Sequence, residues 1–243
     1  MKNRRFSLTL IIFISLWIIA ILVGGYYLYH WFTGSDARSR RVIAWIRRPD
    51  EHPAWAVSAL DRCNDAPFLI PTDGYIGYLW GDSFRPGHKH QGIDIFAGSE
   101  AGVTSVYAAY PGYLTRMADW KSTLIIRIPN DPLQTGRQIW TYFTHMAGPG
   151  GDSLIDAAFP SGTSEVYVEA GTFLGYQGNY SGTPDHPVGV HLHFSIVKDD
   201  GEGQFLNELQ IHNTLDPTPY FGLPLNAAEN QNSIPLCPGD VED

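Results

Sequence analysis

Cationic residues are scarce in most of this sequence. The first 48 positions hold eight of its sixteen Lys and Arg and a single acid. That leaves eight bases against 24 acids over 49–243, a net charge of −16. Without a basic patch to grip phosphates, this part of the chain is a poor partner for nucleic acid or for anionic lipid. A long helical period is missing too, as is any internal repeat. The 13% of aromatic residues, 25 Gly and 17 Pro point instead to many short strands and turns. Cysteine is almost absent. Cys63 and Cys237 lie near the two ends of the soluble part, where they could pair outside the cell or stay thiols inside it. Their Pro- and Asp-rich flanks carry no motif of a cysteine peptidase.

The longest absence is at the start. No Lys, Arg, Asp or Glu occurs from Phe6 to Ser35, a run longer than the roughly 20 residues that cross a hydrocarbon core. Tyr26, Tyr27, Tyr29 and Trp31 are placed as an interfacial aromatic belt. A cleaved signal peptide, cut after Ala37, is the competing reading, but its apolar region is normally only about 7–15 residues. The expected organisation is a cytoplasmic tail over 1–5 and a transmembrane signal-anchor over 6–32. A juxtamembrane linker, with a possible regulatory segment, follows over 33–66. The folded domain covers 67–223 and a poorly ordered tail 224–243. A short helix is expected around Trp55–Leu60, and strands at 122–128, 138–146, 165–171 and from His191. The fold class that follows is mostly β: an antiparallel sandwich or open barrel behind one N-terminal transmembrane helix.

Two segments concentrate metal-capable side chains. In VGVHLHFSIV (188–197), strand alternation sends Val190, Leu192, Phe194 and Ile196 to one face and His191, His193 and Ser195 to the other. In GHKHQGIDIFAG (87–98), His90, Gly92 and Asp94 share one face of an extended segment, and Gly92 leaves room for an ion or substrate. A third, TYFTHM, ends a strand with His145. Five candidates exceed a tetrahedral site but suit three ligands plus two acid–base groups.

Taken in order, GHKHQGIDIFAG, TYFTHM, VEAGTFLGYQGN and GVHLHFSIV resemble the lysostaphin-type (LytM-like) zinc endopeptidases, which cut peptide cross-links in peptidoglycan. The resemblance runs from about Pro71 to Tyr220. It implies one Zn²⁺ per chain held by His90, Asp94 and His193, with His145 and His191 as catalytic histidines beside a zinc-activated water. His191 is the expected general base. The implied substrate is a peptidoglycan cross-link or stem peptide, which places the domain outside the membrane although the Arg residues after the span oppose that orientation. Departures from the family pattern are Phe143-Thr144-His145-Met146, Ser195 in place of an acid, and Phe84 ahead of the first ligand, with Tyr75 or Tyr78 as substitutes. Residues 49–66, through Asp50, His52 or Asn64, are candidates to lie across the cleft. Two rivals are weighed. A non-haem iron oxygenase would use H-x-D spacing and, when 2-oxoglutarate-dependent, a basic residue (typically Arg) after the last histidine, whereas the last Arg here is Arg137, upstream of His193, and only Lys198 follows. A wall-binding regulator that activates other hydrolases would be marked by a lost ligand, and none is lost.

Overall fold

A computed structural model describes residues 8–34, 36–83, 87–230 and 232–237. The β-rich composition resolves into eleven short strands: β1 (Ala56–Val57), β2 (Gly74–Tyr78), β3 (Ile93–Phe96), β4 (Ser105–Tyr107), β5 (Gly112–Thr115), β6 (Leu124–Ile128), β7 (Ile139–Thr144), β8 (Val166–Val168), β9 (Phe173–Tyr176), β10 (His191–Lys198) and β11 (Thr214–Leu215). Nine form an antiparallel sheet in the order β1-β2-β3-β10-β7-β6-β5-β8, with β11 beside β10; β4 and β9 pair separately. Strand β10 therefore lies mid-sheet, with β7 along one edge and β3 then β11 along the other.

Alternation decides what each strand buries. Leu192, Phe194 and Ile196 of β10 share one core with Ile139 and Phe143 of β7, Leu124, Ile126 and Ile128 of β6, and Val106 and Leu174 of the small sheet. Phe194 meets Phe143 and Phe221 edge-on, with ring centres 5.1 and 5.3 Å apart, contacts worth about 0.5–1.5 kcal/mol each beyond area burial. On the opposite face Val197, Trp140 and Ile125 form a smaller cluster. That second face of β10 is buried as well rather than open to solvent, because loops cover it.

The N-terminal region differs from the expectation. Helix α1 (Leu8–Gly34) covers most of the apolar run. The start of the proposed 6–32 anchor, the tail over 1–5 and the side chains of 28–32 lie outside the described residues. The longest unbroken stretch of α1 with described side chains is 12–27, and among the described residues no helix is long and apolar enough to cross a membrane. The 33–66 segment is not an irregular linker. Helix α2 (Asp36–Arg47) docks Val42 and Trp45 against Tyr75 and Phe96, and Trp45 Nε1 donates to Phe96 O at 2.7 Å. The helix expected around Trp55–Leu60 is instead a 3₁₀ turn, Pro53–Trp55, running into edge strand β1. Pro53 starts the turn well and the extended Ala56 ends it.

The C-terminal segment is also held. Asn226 pairs in a bridge with Trp80 and its side chain donates to Asp216. Asn230 accepts from Arg38 of α2. Cys63 and Cys237 form a disulfide across 174 positions. Loop-closure entropy makes such a wide bridge stabilising by about 2–5 kcal/mol. Urea titration of the full chain in detergent is expected to show that loss when both cysteines become serine, and the same loss on reduction. Identical midpoints in the oxidised and reduced protein would show that packing alone holds the chain ends.

Candidate metal centre

The antiparallel register of β3 and β10 places Asp94 directly opposite His193 and Phe96 opposite His191. On the other edge of β10, His193 pairs with Thr144, so His145 follows at the end of β7. His90 enters from the turn before β3. Three atoms then converge: His193 Nδ1 lies 2.8 Å from Asp94 Oδ1, His90 Nε2 lies 3.1 Å from the same oxygen, and the two nitrogens are 3.0 Å apart. All three residues are buried, and their ligand atoms form a group able to hold a metal ion.

The remaining ring nitrogens are partnered. His90 Nδ1 donates to Leu79 O at 3.0 Å, which turns Nε2 into the acceptor of the neutral ring. His193 Nε2 donates to Glu208 Oε1 at 2.8 Å, turning Nδ1 inward in the same way. Two imidazole nitrogens and one carboxylate oxygen, each oriented by a second hydrogen bond, are a donor set that suits Zn²⁺. The two other histidines are held alike. His145 Nδ1 donates to Tyr180 O at 2.7 Å and His191 Nδ1 to Gly189 O at 2.6 Å, so each keeps Nε2 for proton exchange. His191 is stacked on Phe96 and lies 4.4 Å, centre to centre, from His145; its Nε2 stands 3.7 Å from Asp94 Oδ1. His145 occupies the left-handed backbone region at φ +69°, a conformation that costs a non-glycine residue of order 1 kcal/mol and concentrates at functional sites.

Charge follows from burial and these contacts. Burial opposes ionisation of Asp94, yet the pull of His90, His191 and His193 outweighs it and holds the carboxyl well below its usual range. Burial likewise disfavours charge on His193, but Asp94 and Glu208 overcome it and push the ring up to about 10. The protonated ring thus lies between two carboxylates, and a metal bound at His193 Nδ1 would take the place of the proton facing Asp94. His145, buried and beside His191, is driven down to about 3; burial lowers His191 too. Both rings are neutral bases at pH 7.

All five sequence-derived residues, His90, Asp94, His145, His191 and His193, come together in space. A cleft of about 390 Å³ opens over them, lined by His90, Asp94, His145 and His193, with Tyr142, Tyr180, Ser181 and Glu208 around them. His191 is buried and does not line it. Several expectations are corrected. The space at Gly92 does not serve an ion: a Cβ there would lie 2.1 Å from Phe194 O and 2.9 Å from Ser195 Cβ, so glycine lets β10 approach the ligand turn. Tyr75 is sealed in the core beside Trp45 and the Tyr78 hydroxyl pairs with Ser39; neither lines the cleft. Phe84 lies outside the described residues. Asp50, His52 and Asn64 do not reach the centre: Asp50 and Asn64 are exposed, and His52 stacks on Trp55. Glu208 was missed altogether. It stands fifteen positions beyond His193 in an irregular loop, and no spacing in the sequence announces it.

The sequence matches no family profile and no curated protein. Solved structures that resemble the chain include Csd3 from Helicobacter pylori, at 18% identity and TM-score 0.36, matching 58% of this chain and a third of Csd3. The catalytic domain of the antimicrobial peptidase lysostaphin from Staphylococcus simulans matches 61% of this chain and 90% of its own, at 20% identity and TM-score 0.38. A putative peptidase M23 from Pseudomonas aeruginosa matches 78% of this chain and 63% of its own, at 20% identity and TM-score 0.37. Likeness at this level assigns no chemistry to the chain, which stands on its own residues.

The geometry predicts one Zn²⁺ per chain. Metal analysis of purified protein is expected to find it in the wild type and in His145→Ala, and to find it lost in Asp94→Ala and His193→Ala. Equal zinc content in all four would place the ion elsewhere.

Proposed function

We propose that this chain is a membrane-anchored zinc endopeptidase that hydrolyses peptide bonds in peptidoglycan cross-links or stem peptides. The observation that carries the reading is the convergence of His90 Nε2, Asp94 Oδ1 and His193 Nδ1 beside a neutral His145 on the wall of an open cleft. The substrate class comes from the resemblance of the four sequence segments to LytM-like enzymes. Zn²⁺, when bound, supplies a Lewis acid for the scissile carbonyl and lowers the pKa of water. His90, Asp94 and His193 hold the ion. His145 Nε2, on the cleft wall, takes the proton of the attacking water and returns it to the leaving amine. His191, packed between Phe96 and His145, keeps Nδ1 on Gly189 O and an unprotonated Nε2 next to Asp94, so it stabilises charge developing on the carbonyl oxygen once Nε2 has taken up a proton. These two assignments exchange the roles expected from sequence, because His145 lines the cleft and His191 does not.

Localisation belongs to the same proposal. The anchor rests on the uncharged run from Phe6 to Ser35 in the sequence, and Phe13, Trp17, Ile21 and Leu22 of α1 stand exposed, suited to contact with lipid. The Cys63–Cys237 bridge favours an oxidising compartment for the domain.

The test is release of new amino termini from purified peptidoglycan by the full chain in detergent. Chelation is expected to abolish cleavage and added zinc to restore it. His145→Ala and His191→Ala are expected to keep the metal while losing roughly 100-fold or more in rate. Cleavage that ignores both chelator and His193→Ala would refute the mechanism, and binding without cleavage would support a wall-binding regulator instead. For topology, protease added to intact spheroplasts is expected to digest the domain; a protected domain would contradict both the orientation and the substrate class.

A further inference from the structure

Glu208 is a buried carboxylate that pairs, among the described residues, with no Lys or Arg. Its partners are His193, whose Nε2 donates to Oε1 at 2.8 Å, and Ser195, whose Oγ donates to the same oxygen at 3.4 Å. An ionised acid with only an imidazole and a hydroxyl around it is costly to bury unless the imidazole is polarised toward it.

The loop that delivers Glu208 is fixed along its length. Leu206 N donates to Lys198 O at 3.0 Å and Asp200 N to Gln204 O at 2.9 Å, closing a hairpin on the end of β10. Phe205 packs on Trp120 and Trp140, with ring centres 6.0 and 5.5 Å away. Asn213 Nδ2 donates to Asn207 O at 2.9 Å, and Gln91 Nε2, next to ligand His90, donates to Leu209 O at 2.9 Å. Position 208 is thus pinned from both sides, and its side chain turns inward while Leu209 stands 73% exposed beside it at the cleft.

We infer that Glu208 is the positioning residue of the metal centre: by accepting from His193 Nε2 it fixes the ring so that Nδ1 faces His90 and Asp94. Ser195 sits one pleat repeat from His193 on the same face of β10 and touches Glu208, so an acid there would reach the same ring from the strand itself. This role rests on the metal reading above and deepens it. It also changes the charge at the centre, because a second buried carboxylate brings the site, with a divalent ion and Asp94, from a net charge near +1 to about neutral. Carboxylate partners of this kind strengthen the basicity of the ligating ring, and their loss weakens metal binding by roughly 10–100-fold.

The experiment measures affinity for zinc alone, by competition with a chromophoric chelator, on the full chain in detergent. Glu208→Gln keeps the shape and removes the charge, and it is expected to weaken zinc binding by roughly 10–100-fold while the circular dichroism of the metal-free protein stays unchanged. Exchanging the two side chains, Ser195→Glu with Glu208→Ser, is expected to recover most of the affinity. Unchanged affinity in Glu208→Gln, or a folded exchange variant as weak as Glu208→Gln, would overturn the inference and leave the three-ligand centre standing. Collapse of metal-free Glu208→Gln would overturn it too, by making the acid a structural brace. A wild-type chain that binds no zinc would instead sink the metal reading of the whole site.

Discussion

Pairing of β3 with β10 is the constraint on which this molecule turns. The ladder sets Asp94 against His193, and the two-residue period of a strand then fixes everything else on that face: His191 beyond Asp94 toward Phe96, Ser195 toward the loop of Glu208. A register slip of one residue would send the histidines into the apolar core and Leu192 and Phe194 into the cleft. What prevents the slip is the opposite face. Phe194 is enclosed by Phe143, Phe68 and Phe221, so the energy that holds the ligands in register comes from hydrophobic packing on the side of the strand where no chemistry occurs.

Polar groups on the working face form one continuous chain. It runs from Leu79 O through His90 to Asp94, then to His193, and ends at Glu208 and Ser195. Each buried acid touches a donor, and each ring is held at two nitrogens. Such a network is stable only when satisfied throughout, since an unpaired buried charge costs several kcal/mol. Within that network burial divides the groups: desolvation makes His145 and His191 neutral bases, while the acid–imidazole contacts keep Asp94 and Glu208 ionised.

Much of the fold and the site was legible in the sequence because both rest on short-range periodicity. The strands at 122–128, 138–146 and from His191 appear as β6, β7 and β10, and the stretch 165–171 holds β8 at Val166–Val168. In β10 alternation separates Leu192, Phe194 and Ile196 in the core from the histidine face, whereas Val190, expected beside them, precedes the strand and is only half-buried. Features set by distant contacts were not legible. Helix α2 has a polar composition that reads as a linker, and only Val42 and Trp45, meeting Tyr75 and Phe96, make it part of the domain. The C-terminal segment looked unordered because its ties, Asn226 to Trp80, Asn230 to Arg38 and Cys237 to Cys63, join positions more than 140 apart. Gly92 was assigned the right importance for the wrong reason: pattern shows that a side chain is missing, not which neighbour fills the space.

Glu208 marks the same limit at the site itself. A histidine pair such as H-x-H is placed by strand geometry and can be read directly. The acid behind it depends on a loop whose path is set by Phe205 against two tryptophans and by Gln91 holding Leu209 O. Ser195, read alone, looks like a lost support for His193. In three dimensions its small side chain leaves space for a carboxylate to arrive from outside the strand, and its hydroxyl donates to that carboxylate. The apparent departure and the unannounced glutamate therefore meet in one arrangement, the serine hydroxyl on the strand facing an acid that comes from the loop. Since Gln91 neighbours His90 and holds that loop, His90 and His193 are braced through a single connected set of contacts, from the turn before β3 to the end of β10.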